Sequence, residues 1–381
     1  MRSYEETITW LRFSLDLRQA PPSFWLLLGE CVAGIRHLNS IPLPAVAARE
    51  LEHDLLASAS HARLALDGIT LPKDRIATHL IKRPKRSVGS LAGQPELDAL
   101  LGTGQQIIAD TAGTDQALTP DHLKGWHVAL TSGTSSDEGR PGSWRSTSSG
   151  NKALDGVPPD VIGVFTEELC EWLNGAQLAP PSPQELEAYG LIHCLIAELY
   201  LWWIRPFPTA HARLTGLVGQ YLLRSSGLGS TAGHLASVHF HAHGREFQRS
   251  MAQAAEGTAD PIPFLAFGLS GIAEGLRDLH IRVRELQRQG QWRAQLLDLF
   301  SDAEDEPTRR QRRLLLDLGD QQQPVPLNQL SSLSTASARL YAEVSDKTLR
   351  RDVDALVTFG VLHRSEEGLW VDRNNMLAFK D

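Results

Sequence analysis

Apolar residues recur at helical spacing along most of this 381-residue chain, and this periodicity limits the folds that it can adopt. Stretches such as LPAVAARELEHDLLASASHARLALDGI and PQELEAYGLIHCLIAELYLWWI place apolar side chains three or four residues apart. That spacing lines one face of a helix, whereas a half-buried strand would need strict alternation. Proline and glycine separate the stretches. The sequence therefore predicts an all-α fold.

Composition and charge exclude several classes of protein. Apolar residues make up 42% of the chain and charged residues 22%, which is typical of a folded soluble protein. A net charge of -8 argues against a protein that coats nucleic acid, but it is compatible with a local basic face. The three widely spaced cysteines predict neither a disulfide framework nor a zinc site. The N-terminal apolar run at Phe24 is too short to span a bilayer, so we expect a cytoplasmic protein without a membrane span.

Breaks in the helical pattern divide the chain into four predicted parts. A helical N-terminal module, residues 1–95, ends in a basic connection rich in Gly, Pro and Ser. Residues 96–300 form the main helical domain, with a long loop or short hairpin in its turn-rich first half. An acidic linker, 301–308, precedes a last unit, 309–381. That unit is predicted as three helices, RRQRRLLLDLG, PLNQLSSLSTASARLYAEV and SDKTLRRDVDALVTFGVL, followed by a hairpin.

Several short motifs follow one another in an order that resembles the Fic family, also called the Fido fold. The resemblance rests on GWHVAL, GRPGSWR, PPDV, EWLNG and IRPFPTAHAR, and it runs from about Trp10 to Leu377. Members of that family transfer AMP or related groups from nucleotides to protein hydroxyls. The resemblance implies a Fic helical core with a small β-hairpin flap. It is closest to members with a helical N-terminal module and a C-terminal winged helix-turn-helix.

The central Fic motif, HxFx(D/E)GNGRxxR, is degenerate in this chain. Arg205 stands at the catalytic histidine position, Thr209 at the metal-binding acid and Arg213 at the first arginine. The other replaced positions are the GNG loop and the second arginine, which are Ala210, His211, Ala212 and Gly216. The Pro-Phe pair that follows the first position is retained.

These replacements predict that ordinary Fic catalysis is lost. An arginine, with a pKa above about 12, cannot take the proton of a target hydroxyl, and loss of a general base typically removes about 10² to 10⁴ in rate. Thr209 is neutral, so it is a weak Mg²⁺ ligand where the family has a carboxylate. Alanine lacks the freedom of glycine at positive φ, so we also expect an altered phosphate cradle. The resemblance thus implies a pseudoenzyme with no intact catalytic residue and no bound metal.

The sequence leaves open two alternatives to a pocket without ligand or activity. Arg205, His211 and Arg213 are candidate ligands for an anion or a nucleotide such as ATP, because arginine forks suit phosphate. A donor bound there would support a nucleotide-dependent, AMPylation-like transfer to protein hydroxyls through a remodelled pocket. His211 is also a candidate replacement for the lost base.

A segment of the N-terminal module resembles the inhibitory motif (S/T)xxxE(G/N) of many Fic proteins. In those proteins the glutamate contacts the second motif arginine and blocks productive nucleotide binding. Here Asp67 and Gly68 take the Glu and Gly places, and Arg63 takes the Ser place. The partner arginine is Gly216, so both sides of the inhibitory pair have changed. A solvated aspartate at a helix end is the alternative interpretation.

The C-terminal unit resembles a winged helix-turn-helix of bacterial regulators. SDKTLRRDVDALVTFGVL is similar to their recognition-helix pattern SxxTxxRDLxxLxxxGxL, and Ser345 is predicted to cap that helix. The candidate DNA ligands are Lys347, Thr348, Arg350 and Arg351. Three acidic residues accompany them, which are Asp346, Asp352 and Asp354. This mixed charge leaves packing against an unidentified protein partner, or homodimerisation, as the alternative to DNA binding.

The stretch HFHAH, from His239 to His243, has the alternation of a metal-binding strand. It lacks a fourth candidate ligand at suitable spacing, and it lies just before a helical stretch. We therefore predict a loop or the start of a helix there, with no metal.

Overall fold

Helices provide nearly all of the regular structure in this chain, which confirms the all-α prediction. The computed structural model describes residues 8–82, 94–111, 117–134, 139–147, 155–256, 259–300, 305–321 and 323–371. They form two compact units, which divide between His280 and Ile281. None of the described helices combines the length and the apolar composition needed to cross a membrane.

The first unit is built from eleven α-helices and three short 3-10 helices within the described residues, and the last α-helix continues beyond the unit. Four come from the first 110 residues, namely α1 (Pro22–Ser40), α2 (Ala45–Leu66), α3 (Lys73–Lys82) and α4 (Pro95–Asp110). The remaining seven are α5 (Pro120–Thr131), α6 (Ile162–Asn174), α7 (Leu186–Ile204), α8 (His211–Ser225), α9 (Thr231–Ala242), α10 (Gly244–Ala254) and α11 (Ile262–Leu299). Helix α2 packs against α8 and α9, so the predicted N-terminal module shares the compact unit of the main helical domain.

Helix α7 forms the centre of the first core. It is apolar on all sides, and nearly every side chain from Leu191 to Ile204 is buried, which is the pattern of a helix surrounded by other helices. Helix α8 lies against it at close range because Gly219 has no side chain. A Cβ atom at Gly219 would lie 2.9 Å from the sulfur of Cys194 on α7. The turn between these two helices carries the degenerate motif.

The second unit has its own core and the hairpin of the described chain. Its elements after α11 are α12 (Glu306–Gly319), α13 (Thr335–Tyr341), α14 (Asp346–Thr358), β1 (His363–Arg364) and β2 (Leu369–Trp370). The two strands pair antiparallel, with His363 opposite Trp370. The single helix predicted over 326–344 is wrong, because a short 3-10 helix, Leu327–Ser332, precedes α13. Ser334 separates them, since its hydroxyl caps α13 by accepting the Ser337 N–H at 3.0 Å.

The boundary between the units differs from the position of the acidic linker. The end of α11 belongs to the second core, in which Trp292 and Leu296 of this helix, and Phe300 directly after it, pack with residues of α12 and α14. The units therefore divide at 280 and 281, inside a continuous helix, rather than at 301–308. Residues 301–304 lie outside the described chain.

Two sequence predictions concern local segments of the first unit. The described residues 139–147 of the predicted flap contain no strand, and 148–154 lie outside the described chain. The HFHAH stretch is not a loop, because His239 and His241 lie in the last turn of α9, but its last residue, His243, occupies the N-cap position of α10. Within the described residues, no group of three or more His, Cys, Asp or Glu side chains is placed to hold a metal ion.

Candidate functional site

The degenerate motif lies in a short turn bounded by two residues in the left-handed region. Arg205 ends α7 with φ 49° and ψ 63°, and its N–H donates to the Leu201 carbonyl at 2.8 Å. Ala210 precedes α8 with φ 56°. Each left-handed non-glycine residue costs about 1–2 kcal/mol, so the surrounding contacts must hold this turn in place. Ala212, by contrast, is helical, so only one of the two replaced glycine positions needs a positive φ.

Arg145 holds the first half of the turn. It is buried, and its Nε–H donates to the Arg205 carbonyl at 2.6 Å, while its Nη groups donate to the carbonyls of Thr147 and Val157. Gly156 leaves room for this arrangement, since a Cβ there would lie 2.7 Å from Arg145 Nη2. Burial lowers the pKa of Arg145. This guanidinium is a positioning group that fixes Arg205, a role that the flap interpretation of GRPGSWR did not include.

His127 and Phe207 form a stacked pair beside the turn. Their ring centroids are 4.0 Å apart with an angle of 7° between the planes, and Nδ1 of His127 accepts the Gly142 N–H at 3.0 Å. Burial lowers the pKa of His127 to about 4, so the imidazole is neutral at pH 7. The retained Phe207 of the motif is thus held by His127, which no sequence pattern marked as a site residue.

The carboxylate of Asp67 occupies the N-terminus of α8. Its Oδ1 accepts the Ala212 N–H at 2.6 Å, and its Oδ2 accepts the Arg213 N–H at 3.3 Å and the Arg213 Nε–H at 2.7 Å. The side chains of Asp67 and Arg213 are both only 5% exposed. Burial raises the pKa of Asp67, whereas the ion pair and the two backbone donors favour its charged form. The alternative of a solvated aspartate is wrong.

This arrangement fills the part of α8 that would otherwise attract an anion. The first backbone N–H groups of a helix have no partner within the helix, and they carry the positive end of its dipole. Phosphates commonly bind to such groups. In this chain an internal carboxylate from the end of α2 already accepts two of these N–H groups and one guanidinium hydrogen bond from Arg213.

Arg63, one turn before Asp67, forms a second buried ion pair. Its two Nη groups donate to both carboxylate oxygens of Glu198 on α7, at 2.6 and 2.9 Å. Its Nη1 also donates to Thr215 at 3.0 Å, and its Nε–H donates to Ser237 at 2.7 Å. The guanidinium therefore joins α2 to α7, α8 and α9.

Arg63 also occupies the space beside Gly216, where the Fic motif has its second arginine. A Cβ atom at Gly216 would lie 2.6 Å from Nε of Arg63. The inhibitory pair implied by the resemblance is thus replaced by two different pairs. Asp67 contacts the first motif arginine, and the arginine beside position 216 comes from α2 instead of α8.

His211 is enclosed in the protein interior. The residue is 6% exposed, its ring meets Trp202 edge to face with centroids 4.5 Å apart, and neither ring nitrogen has a hydrogen-bond partner among the described residues. Burial, and then the charge of Arg205, lower its pKa to about 3. A general base must reach the proton that it removes, so this conformation does not favour His211 as a replacement base.

Two of the other predicted motif residues lie nearer the surface than His211. Arg205 and Thr209 are both half-buried in the turn, whereas Arg213 is buried against Asp67. Nη1 of Arg213 is enclosed without a hydrogen-bond partner among the described residues. The structure therefore brings Asp67, His211 and Arg213 together at the start of α8, and it places Arg205 at the opposite end of the turn.

The predicted DNA-binding residues lie on α14. Lys347, Arg350 and Arg351 are exposed, and Thr348 is half-buried. Ser345 occupies the N-cap position of the helix as predicted, but its side chain does not accept a backbone N–H. Its hydroxyl instead lies 3.2 Å from the Thr348 hydroxyl.

Asp352 does not belong to the exposed face of α14. Its side chain is 3% exposed, it accepts the Arg310 Nε–H at 2.9 Å, and it accepts the Tyr341 hydroxyl at 3.2 Å. Asp354 is exposed and pairs with Arg364 of β1 at 2.9 Å. The exposed face therefore carries less negative charge than the sequence pattern indicated.

Comparison with solved structures identifies the fold. A Fic family protein from Desulfovibrio desulfuricans superposes with a TM-score of 0.50 at 17% identity, covering 91% of this chain and 92% of that one. Fic-1 from C. elegans gives a TM-score of 0.52 at 14% identity, covering 69% and 73%. No protein-family model and no curated protein matches this chain by sequence. The chain therefore has the Fic fold, as the motif order predicted.

Four residues of the site were not selected from the sequence as functional, namely His127, Arg145, Glu198 and Trp202. Glu198 did leave a signal, because it is the one charged residue in the apolar stretch LIHCLIAELYLWWI of α7. A charge buried in such a helix requires a partner of opposite sign. Arg63 meets that requirement from a position 135 residues earlier, and helical periodicity alone could not identify it.

Proposed function

We propose that this protein is a catalytically silent Fic-fold protein that acts by binding and not by nucleotidyl transfer. The observation that carries the proposal is the Asp67 carboxylate at the N-terminus of α8. A nucleotide phosphate that used these N–H groups would first have to displace a buried, paired carboxylate. Breaking a buried ion pair on one side typically costs about 3–5 kcal/mol, which a donor would have to supply from its own binding energy.

Position 205 supports the same proposal. A group transfer to a protein hydroxyl needs a base that can accept its proton. Arg205 stands at that position of the motif, and the nearby His211 is neutral and enclosed. The alternative, an AMPylation-like transfer through a remodelled pocket, needs both a displaced Asp67 and another base.

The direct test is a transfer assay with α-labelled ATP, UTP and GTP, in the presence of Mg²⁺ or Mn²⁺. The full chain is incubated alone and with lysate proteins, and an active Fic enzyme serves as the positive control. We expect no labelled protein above the level of a heat-denatured sample. Metal-dependent labelling that disappears in Arg213→Ala but persists in the surface variant Arg36→Ala would contradict the proposal.

A second candidate function, duplex DNA binding by the C-terminal unit, has its own supporting observation. Asp352 is buried, and Asp346 is the exposed acid that accompanies Lys347, Arg350 and Arg351 in the first half of α14, so that half has a net positive charge. In helix-turn-helix proteins the recognition helix lies in the major groove and its N-terminal residues contact the base edges. Together with the hairpin of β1 and β2, this favours a winged helix-turn-helix that contacts DNA.

Fluorescence anisotropy tests this second function, with labelled duplexes taken from the region upstream of the gene and a scrambled duplex. We expect affinity to fall with salt, and Arg350→Ala/Arg351→Ala to reduce the slope of log K against log salt by about 2 if each side chain contacts one phosphate. The matched control is Arg284→Ala/Arg309→Ala, which removes two exposed charges elsewhere in the second unit. Equal losses in both double variants, or no binding at 50 mM salt, would exclude α14 as a DNA-reading helix.

A further inference from the structure

The motif turn carries two positive charges that no described carboxylate balances. Arg205 is half-buried, and its guanidinium forms no hydrogen bond or ion pair within the part of the chain that the structure describes. Arg145 is 5% exposed, and each hydrogen bond of its guanidinium in the described chain goes to a backbone carbonyl. Arg63 and Arg213, by contrast, each have a buried carboxylate partner. The turn therefore lacks a matching anion.

The electrostatic environment of His211 has the same imbalance. After burial, the groups that lower its pKa are Arg205, Arg63, Arg145 and His127, all of which are cations or can become cations. Burial, and then the charge of Arg205, also lower the pKa of Arg145. An enclosed charge without a counter-charge destabilises a protein. We therefore expect an anionic group from outside the turn to compensate these charges.

The arrangement of the donors favours a carboxylate as that anion. The Arg145 guanidinium is enclosed, so it attracts an anion only at longer range, whereas the half-buried Arg205 can contact one directly. A planar guanidinium matches the two oxygens of a carboxylate with two parallel hydrogen bonds. A phosphate would gain most from the first N–H groups of α8, but Asp67 already accepts two of these. The turn therefore favours a carboxylate over a phosphate.

The surface around Arg205 indicates that the carboxylate belongs to a peptide. A single partly exposed ion pair contributes little to affinity, so a ligand needs further contacts. Trp202, one turn before Arg205 on α7, is half-buried. Trp144 is half-buried as well, and its ring contacts Phe207 with centroids 4.8 Å apart. These two indoles offer apolar surface to the neighbours of an acidic residue, which a free acid of small size lacks.

The segment 139–147 adds an exposed cation beside the turn. The Arg145 N–H donates to the Pro206 carbonyl at 3.0 Å, and this hydrogen bond joins the segment to the turn. Arg140 of the same segment is exposed and forms no ion pair with a described residue. A peptide with more than one acid would thus meet more than one unpaired arginine.

We propose that the motif turn binds an acidic peptide segment of a partner protein, with the Arg205 guanidinium donating to both oxygens of one carboxylate. Apolar side chains next to that acid pack on Trp202 and Trp144. This inference rests on the proposed binding function and names the chemistry of its partner. The position at which the Fic motif has a base for a hydroxyl is, in this chain, a receptor for an acid.

Fluorescence anisotropy with the full chain tests the receptor. The probe is a labelled peptide of repeating Glu-Tyr-Glu-Gly units, and the matched control peptide has Gln in place of every Glu. At about 50 mM salt we expect a Kd on the order of 100 μM for the acidic peptide and at least about tenfold weaker binding of the control. Equal affinities, or no saturation by the acidic peptide up to about 1 mM, would overturn the proposal.

Pyrophosphate distinguishes a carboxylate receptor from a phosphate site. We expect it to displace the acidic peptide only at concentrations above the Kd of that peptide, because Asp67 occupies the N–H groups that phosphate prefers. Displacement below that concentration would assign the turn to phosphate and would overturn the proposal.

Variants of Arg205 locate the contact. Arg205→Gln should weaken binding of the acidic peptide about tenfold, and Arg205→Lys, which keeps the charge but not the fork, about threefold. The first control is Arg75→Gln, an exposed arginine of α3. The second is Arg350→Ala/Arg351→Ala, because the basic half of α14 is another surface that attracts acids. Both controls should bind as the wild type does.

A loss in either control as large as that in Arg205→Gln, or unchanged affinity in both Arg205 variants, would overturn the proposal. Circular dichroism confirms that the variants retain their helices, and Arg205→Lys carries the test if Arg205→Gln does not fold. Failure of the receptor is distinguishable from failure of the proposed function. Labelled transfer in the nucleotide assay would contradict a silent site whatever the peptide does, whereas absence of both transfer and peptide binding would reject the receptor alone.

Discussion

At the scale of single residues, Arg63 brings a full positive charge into the helical core of the first unit. Its side chain is 5% exposed and that of Glu198 is 2% exposed, so neither charge is solvated. A buried ion pair stabilises a fold only weakly compared with apolar packing, but removal of one partner leaves the other charge without compensation. Thr215 and Ser237 complete the hydrogen bonding of the guanidinium.

We therefore expect Arg63→Met to be strongly destabilising. Glu198 would stay buried without its partner, and the loss in free energy of unfolding should be about 3–5 kcal/mol. The control is Arg36→Met, which breaks the exposed pair with Glu187 and should cost less than about 1 kcal/mol. Urea unfolding followed by circular dichroism measures both. Similar losses in the two variants would show that Arg63 and Glu198 are hydrated in solution.

His211 predicts a pH dependence of stability. Its folded pKa of about 3 is below the unfolded value, so the unfolded state binds more protons between about pH 6.5 and pH 3. Stability should therefore decrease as the pH falls through this window. Between pH 7 and pH 5 the contribution of His211 amounts to about 2 kcal/mol.

His211→Gln removes this titration and should reduce the loss of stability between pH 7 and pH 5 by that amount. Urea midpoints at the two pH values provide the measurement. His243→Gln serves as the control, because His243 is an exposed histidine at the end of α9. An unchanged pH dependence in His211→Gln would mean that the ring is accessible to protons in the folded state.

At the scale of elements, α8 begins without a capping side chain of its own. Ala210 occupies the N-cap position and has no group that could accept a backbone N–H. Asp67, at the end of α2, supplies the acceptor from 145 residues earlier in the chain. The start of α8 therefore depends on the position of α2, which Arg63 holds against α7, α8 and α9.

Removal of the Asp67 carboxylate should create an anion site at α8. Asp67→Ala leaves the buried Arg213 unpaired and should destabilise the protein by about 3–5 kcal/mol. Pyrophosphate at ten times its Kd should then restore about 1.4 kcal/mol, whereas the wild-type protein should gain nothing. Thermal unfolding with and without pyrophosphate is the measurement.

Asp16→Ala is the matched control for this experiment. Asp16 also accepts a backbone N–H, that of Arg18 at 3.2 Å, but it lies at the surface in a short 3-10 turn. A pyrophosphate-dependent gain in Asp16→Ala as large as that in Asp67→Ala, or a gain in the wild type, would contradict the assignment of Asp67 as the resident anion.

The sequence predicts elements in this protein better than it predicts their contacts. Helical periodicity was sufficient for α7 and α8, because their apolar faces pack in the core. It failed between 327 and 341, where the local hydrogen bond of Ser334 ends one helical segment and starts another. The motif order predicted the fold and the position of the turn. It could not show that Asp67 meets Arg213 or that Arg63 meets Glu198, since such distant pairs depend on tertiary packing.

At the scale of the whole molecule, one helix contributes to two cores. The first half of α11 contributes Phe264, Leu269 and Ile272 to the core of the first unit. Its second half contributes Trp292 and Leu296 to the core of the second unit. A domain boundary inside a continuous helix is not marked by a change in amino-acid composition. The acidic segment after α11 is such a change, so the sequence predicted the domain boundary there.

Trp292→Ala should therefore destabilise the second unit and leave the stability of the first unit unchanged. Trp292 is 1% exposed and packs against Gly319, where any side chain would collide with its ring. Truncation of a buried tryptophan typically costs about 3–5 kcal/mol. Hydrogen exchange should become faster in residues 305–371 and change little in residues 8–256, and Leu297→Ala, at an exposed position of the same helix, is the control.

Faster exchange across both units in Trp292→Ala would show that they unfold as one cooperative body. Unchanged exchange in residues 305–371 would instead show that Trp292 is not a core residue of the second unit in solution.

The guanidinium beside Gly216 also constrains how this sequence can change. A side chain introduced at 216 would collide with Arg63, while loss of Arg63 would leave the buried Glu198 without its cationic partner. We therefore expect each of these two substitutions to be destabilising by itself. Selection acting on single mutations would meet a barrier in either order. The space at position 216 and the charge at position 63 therefore depend on each other, although the two residues lie on different helices.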